Sequence, residues 1–113
     1  MATTVLIVDD HPSFRSVARM LLESEGYDVV GEAPDGEAAL VLAEQLRPDV
    51  VLLDLGLPGI DGFEVARRLP PGPAIVLVSS RDARDIGPLS EPVKGFIAKG
   101  DLSGDTLREV LAA

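Results

Sequence analysis

Continuous apolar runs alternate along the chain with segments whose apolar residues recur every three or four positions. Three runs have strand length and no polar interruption: Val5–Val8, Val50–Leu53 and Ala74–Val78. Weaker strand candidates are Val29–Ala33 and Gly95–Ala98. Uninterrupted apolar strands are typical of parallel sheets, because helices bury both faces of such sheets.

The segment after the first run has the periodicity of an amphipathic helix. Its apolar residues are spaced i, i+3, i+4, i+7 and i+8. They are Phe14, Val17, Ala18, Leu21 and Leu22. Pro12 suits the first turn of this helix, and Gly26 suits its C-terminal stop.

Three further helices are predicted between or after the other runs. One begins after Asp35, a predicted N-cap, and ends before Pro48. A short helix is predicted over Gly62–Leu69, and a last one after Ser103. The order βαβαβαβ(α)βα predicts the α/β class, with a doubly wound five-stranded parallel sheet and right-handed crossovers.

Length and composition are consistent with one small domain over residues 1–113. The chain is 46% hydrophobic but only 4% aromatic, so its core must consist mainly of aliphatic side chains. It has no cysteine, and its N-terminal apolar run is too short for a signal peptide, so we expect a cytoplasmic location. The net charge of −9 argues against direct nucleic-acid binding, and no apolar stretch is long enough for a membrane span.

Polar residues follow four of the predicted strands. Asp9 and Asp10 end the first, Asp54 the third, Ser79 the fourth, and Lys99 follows the fifth. Ligands of open parallel sheets bind beyond the carboxyl ends of the strands, so these side chains should meet at one edge.

The clustered acids predict a magnesium-assisted phosphoryl chemistry. Neighbouring carboxylates repel one another, and a hard divalent cation relieves that repulsion. With the cation and Lys99 present, a phosphoryl group can approach, and a carboxylate such as Asp54 can be the nucleophile that forms an aspartyl-phosphate.

These residues resemble the receiver domain of bacterial two-component response regulators. The matching stretches are VLIVDDHP, VVLLDLGLPGIDGFEV, IVLVSS and GFIAKG, in the family order. The segment VDDHPSFR is similar to the subfamily that carries a LuxR-type helix-turn-helix output domain. The resemblance implies a flavodoxin-like (βα)5 fold with strand order 2-1-3-4-5.

The resemblance also implies a role for each matching residue. Asp54 would be the phosphoacceptor, and Mg²⁺ (or Mn²⁺) would bind to Asp10, to Asp54, to the backbone carbonyl of Gly56, and to Asp9 mainly through water. Ser79 would hydrogen-bond the phosphoryl group and Lys99 would pair with it. The remaining matches are the aromatic switch position Phe96 and the loop-shaping residues Pro58 and Gly62.

The function implied by the resemblance is that of a switch in a phosphorelay. A sensor histidine kinase, or a small phosphodonor, would phosphorylate Asp54, and the changed conformation would control an output domain or a partner protein. Such a domain catalyses its own phosphorylation and dephosphorylation without being a turnover enzyme. Many receivers dimerise when phosphorylated, so a phosphorylation-dependent dimer is a further expectation.

The sequence departs from the family pattern at three places, one of which is the short connection from Asp61 to Ala74. Gly100 follows Lys99, where members often have a proline with a cis peptide bond. The crossover Arg81–Pro92 contains Gly87 and Pro88, which predicts a shortened or irregular fourth helix.

Three other functions are compatible with parts of the sequence. A hydrolase of the haloacid dehalogenase type would need a second aspartate two residues after the nucleophile, where Gly56 stands. A flavodoxin-type cofactor binder would need a Ser-, Thr- and Gly-rich first loop in place of Asp9 and Asp10. A degenerate receiver would act only as a docking module. His11, the only histidine, is expected to cap the first helix or to lie exposed.

Overall fold

A five-stranded parallel sheet forms the centre of the molecule. The computed structural model describes residues 2–80 and 92–113. The strands lie in the order β2-β1-β3-β4-β5, all neighbours parallel, which confirms the predicted fold. They are β1 (Thr4–Val8), β2 (Asp28–Ala33), β3 (Val50–Asp54), β4 (Ala74–Ser79) and β5 (Val93–Ala98).

Helices cover both faces of the sheet in the described part of the chain. They are α1 (Pro12–Ser24), α2 (Gly36–Leu46), α3 (Gly62–Arg68) and α4 (Gly104–Ala112). Val5 and Ile7 pack with residues of α1 and α4, whereas Leu6 and Val8 pack with residues of α2 and α3. Successive strand residues point to opposite faces, so burial of both faces explains the uninterrupted apolar runs.

Local side-chain chemistry fixes the starts of three helices. The side chains of Asp35, Asp61 and Ser103 each accept a hydrogen bond from a backbone N–H in the first turn of α2, α3 and α4. At the end of α1, Gly26 adopts a positive φ of 92°, as suits a helix stop. None of the helices in residues 2–80 and 92–113 has the length and hydropathy needed to cross a bilayer.

The predicted stripe of α1 is only partly correct. Ala18 and Leu22 are fully buried, but Val17 and Leu21 are 53% and 39% exposed. The reason is that a helix touches a nearly flat sheet along a narrow line, so residues at the edges of the stripe remain in contact with solvent. The crossover Arg81–Pro92, predicted to hold a short or irregular helix, lies outside the described residues except for Pro92.

The register of the sheet aligns the strand ends. Val8 pairs with Leu53, so Asp9 and Asp54 follow at the same level. Ser79 pairs with Ala98, which places Lys99 one residue further on. The sheet thus carries these four residues to one edge.

Gly62 lets α3 pack directly on the end of β3. A Cβ atom at this position would lie 2.8 Å from the backbone oxygen of Asp54 and 2.9 Å from Cα of Leu55. Both neighbours are backbone atoms, so neither can move aside without shifting the strand end that carries Asp54.

Substitution Gly62→Ala should therefore lower the free energy of unfolding by about 1–3 kcal/mol, the usual cost of overpacking. Urea unfolding measures the change. Gly100→Ala is the matched control, since a Cβ there meets no atom within 4 Å. Equal stability of Gly62→Ala and the wild type would show that the contact is not tight.

Candidate functional site

An ion-pair cluster lies at the carboxyl edge of the sheet. Nζ of Lys99 lies 2.6 Å from Oδ2 of Asp9 and 3.6 Å from Oδ2 of Asp54. The two acids are almost inaccessible, with residue exposures of 0% and 4%. Two buried carboxylates therefore share one ammonium group, as the strand ends predicted.

Asp9 is held in place from several sides. Its backbone N–H donates to the carbonyl of Ala33, which extends the pairing of β1 with β2. Its Oδ1 accepts the backbone N–H of His11 at 2.8 Å, and its carbonyl accepts from the guanidinium of Arg15 at 2.6 Å. Arg15 is itself fixed by an ion pair with Glu32. The chain therefore fixes both the backbone and the carboxylate of Asp9.

Asp54 lies in a less favourable electrostatic environment. Burial is the main reason that its pKa is raised above the ordinary aspartate value, and the negative charges of Asp9 and Asp10 raise it further. The backbone N–H of Gly56, 3.2 Å from Oδ1, and the ammonium of Lys99 act in the opposite direction. Burial and like charge outweigh these two stabilising contacts.

The cluster has the donor set of a divalent metal site. One ligand atom from each of Asp9, Asp10, His11 and Asp54 lies within 4.8 Å of the others. Buried Asp9 Oδ2 and Asp10 Oδ1 accept no well-formed hydrogen bond from the described residues, although Lys99 is at ion-pair distance from the first. Such oxygen atoms are suitable ligands for Mg²⁺, so the residues fit the predicted ion.

The other residues predicted for the site differ in how deeply they are buried. Ser79 is buried at the end of β4, 4% exposed, next to the strand that carries Asp54. Gly56 follows Asp54 in an exposed turn. Phe96 is partly buried and packs against the core on the α2–α3 face.

Three residues near the cluster were not predicted to belong to it. The ring of Phe14 lies 4.6 Å from Nζ of Lys99, which is a cation–π contact. Arg15 binds the carbonyl of Asp9, and His11 directs its ring towards the acids, although its side chain is 62% exposed as expected. His11 occupies the N-cap position of α1 but makes no side-chain cap hydrogen bond. All three lie within five residues after the acid pair, which is the only sequence signal that could have identified them.

The raised pKa of Asp54 predicts a pH-dependent effect of Asp54→Asn on metal-free protein. A raised folded-state pKa means that the contribution of Asp54 to stability is full below the ordinary aspartate pKa and is lost as pH rises through the folded-state value. The variant should therefore become more stable than the wild type as pH rises towards neutrality. Urea unfolding in a chelator, across pH, measures this difference.

Asp28→Asn is the control, because it removes an exposed carboxylate at the opposite edge of the sheet. An equal gain in the free energy of unfolding of Asp28→Asn would indicate a general effect of net charge. If the free energies of unfolding of Asp54→Asn and the wild type differ by the same amount at all pH values, the electrostatic account is contradicted.

Solved structures of response-regulator proteins are similar to this structure. The structure superposes on the signal receiver domain of NarL from Mycobacterium tuberculosis with a TM-score of 0.78 and 33% identity, covering 99% of this chain and 98% of that one. A two-component response regulator of the LuxR family from Aurantimonas sp. SI85-9A1 gives a TM-score of 0.86 and 29% identity, covering 99% and 84%.

Sequence relatives agree with the structural neighbours. The response regulator GacA of Pseudomonas aeruginosa is 53% identical over 66 residues, which cover 58% of this chain and 31% of GacA. The chain spans about half or less of the length of the curated relatives it matches. The family model of the response regulator receiver domain matches residues 5–110. The chain therefore belongs to the receiver domain family of two-component response regulators.

Proposed function

We propose that this chain, as one receiver domain over residues 1–113, accepts a phosphoryl group on Asp54 with the help of a divalent cation. The observation that supports this most directly is the ammonium of Lys99 between two buried carboxylates, 2.6 Å from Asp9 and 3.6 Å from Asp54. A stability role alone is a poor explanation, because burying ionic groups rarely stabilises a protein.

The charge of the cluster supports the cation. Asp9, Asp10 and Asp54 contribute three negative charges when ionised, and Lys99 contributes one positive charge, which leaves two negative charges. One divalent ion balances these two charges. We propose Mg²⁺ or Mn²⁺, bound by Asp10, Asp54 and the carbonyl of Gly56, with Asp9 bound mainly through water.

In the proposed reaction, a carboxylate oxygen of Asp54 attacks the phosphorus of the donor. A bond forms between that oxygen and phosphorus, and the bond from phosphorus to the leaving group breaks. The bound cation would supply charge neutralisation for the phosphoryl oxygens. The buried position of Asp54 at a strand end limits its movement, so attack needs little reorganisation.

Lys99 and Ser79 would act on the phosphorylated state. The ammonium of Lys99 is 3.6 Å from Asp54, so a phosphoryl group added there can attract it away from Asp9. The hydroxyl of Ser79, at the end of the adjacent strand, would donate a hydrogen bond to a phosphoryl oxygen. The movement of these two side chains would pass the signal to β4, β5 and the switch residue Phe96.

The alternatives have weaker support. A dehalogenase-type hydrolase lacks its second aspartate, since Gly56 follows Leu55 and only its backbone N–H contacts Asp54. A flavodoxin-type phosphate site would need a loop without acids, yet Asp9 and Asp10 lie at that position. A docking module without chemistry would have no need of the Lys99 ion pairs.

We further propose that a sensor histidine kinase is the phosphodonor in the cytoplasm, and that an output domain or effector protein responds. The curated relatives are longer than this chain, which is consistent with an output domain elsewhere in a parent protein. We also propose that phosphorylation promotes a dimer. The acidic net charge of −9 favours a protein partner over direct contact with nucleic acid.

Incubation with acetyl phosphate and Mg²⁺ should add the mass of one phosphoryl group to the wild type, and to Asp28→Asn as a matched control. Asp54→Asn keeps the shape of the side chain but removes the nucleophilic carboxylate, so it should gain no such mass. Intact-mass spectrometry over time measures both. Normal modification of Asp54→Asn would exclude Asp54 as the acceptor, and no modification of any protein would favour a docking module.

A further inference from the structure

Glu32 on β2 holds two arginines of α1 at the same time. Its Oε1 accepts a hydrogen bond from Nε of Arg15 at 3.2 Å, and its Oε2 accepts one from Nε of Arg19 at 2.7 Å. Each oxygen of the carboxylate therefore anchors one guanidinium group. None of these three side chains takes part in the proposed phosphoryl chemistry.

Each arginine uses a second nitrogen atom to bind a backbone carbonyl. Nη1 of Arg15 donates to the oxygen of Asp9 at 2.6 Å, whereas Nη1 of Arg19 donates to the oxygen of Val29 at 3.3 Å. Val29 pairs with Val5, away from the end of β1 that leads into the ion-pair cluster. The two arginines thus make the same kinds of contact, but only Arg15 reaches the cluster.

The carbonyl of Asp9 belongs to the peptide that leads into Asp10. A peptide unit is planar, so a contact that fixes its oxygen also fixes the direction in which the chain enters Asp10. The buried Oδ1 of Asp10 accepts no hydrogen bond from the described residues, and the nearby ring of His11 is itself 62% exposed. The position of the Asp10 carboxylate therefore depends mainly on its backbone.

We infer that Arg15 is a positioning residue for the proposed cation site. Its guanidinium, anchored on Glu32, fixes the peptide between Asp9 and Asp10 and so determines where the Asp10 carboxylate lies. The inference rests on the proposed function, because Asp10 is a ligand only when a divalent cation binds at the cluster. Loss of a residue that orients metal ligands typically weakens metal binding by about 10- to 100-fold.

The charge of Arg15 and its geometry have opposite effects on a bound cation. A guanidinium group repels a divalent cation, so removal of Arg15 would tighten binding if the residue acted through its charge alone. If Arg15 acts by positioning Asp10, the same removal weakens binding. Lysine keeps the charge but replaces the rigid fork with one ammonium group on a flexible stem, which holds the two acceptors less firmly.

Calorimetric titration with Mg²⁺ of the wild type, Arg15→Lys and Arg19→Lys tests the inference. Arg15→Lys should weaken Mg²⁺ binding by about tenfold or more, whereas Arg19→Lys should stay within about twofold of the wild type. Arg19→Lys is the matched control, because it changes the same kind of fork on the same helix and the same contact with Glu32. Urea unfolding in a chelator should show similar losses of stability in both variants, so a purely structural role would not separate their Mg²⁺ affinities.

Arg15→Gln repeats the test without the positive charge. Positioning predicts that this variant binds Mg²⁺ more weakly than the wild type, although the repulsion from the guanidinium has been removed. Tighter binding would show that Arg15 acts through its charge.

The backbone amide NMR signal of Asp10 in metal-free protein gives an independent readout. Arg15→Lys should move this signal further than Arg19→Lys does, because the amide shares a peptide plane with the carbonyl that Arg15 binds. Equal Mg²⁺ affinity in Arg15→Lys and the wild type, or tighter binding in Arg15→Gln, would overturn the inference but leave the proposed cation in place. A wild type that binds no Mg²⁺ would overturn both.

Discussion

The unequal sharing of one ammonium group between two buried carboxylates is the constraint on which the rest of this structure depends. Lys99 pairs with the buried Asp9 and Asp54, so one of their two negative charges stays unneutralised, and the partly exposed Asp10 adds a third negative charge. Burial raises the pKa of Asp54, and the negative charges of Asp9 and Asp10 raise it further. A cluster in this condition is electrostatically suited to the divalent cation proposed above.

The fold maintains this arrangement by fixing backbone positions. Sheet register places the ends of β1 and β3 at the same level, and the close contact at Gly62 holds α3 against the backbone of Asp54. Arg15 secures the carbonyl of Asp9, while Phe14 contacts Lys99 from the same helix. Helix α1 therefore contributes to the site as well as to the core. Its contribution could not be predicted from the positions of the strand ends.

Much of this architecture could be predicted because burial and local chemistry leave clear patterns. Strands buried on both faces read as apolar runs, and Asp35 and Ser103 start helices through contacts with their own first turns. The meeting of Asp9, Asp54 and Lys99 followed from parallel topology. The contacts of His11 and Phe14 could not be derived in this way, because they depend on how the first turn of α1 faces the edge of the sheet. The exposure of Val17 likewise depends on the angle at which α1 lies on that sheet.

The central claim is that a divalent cation relieves the charge imbalance of the acid cluster. The most direct test is the free energy of unfolding of wild type and Asp10→Ala, measured in urea at increasing Mg²⁺ concentration. The account predicts a gain of about 2.7 kcal/mol for the wild type when Mg²⁺ exceeds its Kd a hundredfold, and much less gain for Asp10→Ala at the same concentration. Stability that is independent of Mg²⁺, or that rises equally in both proteins, would contradict it.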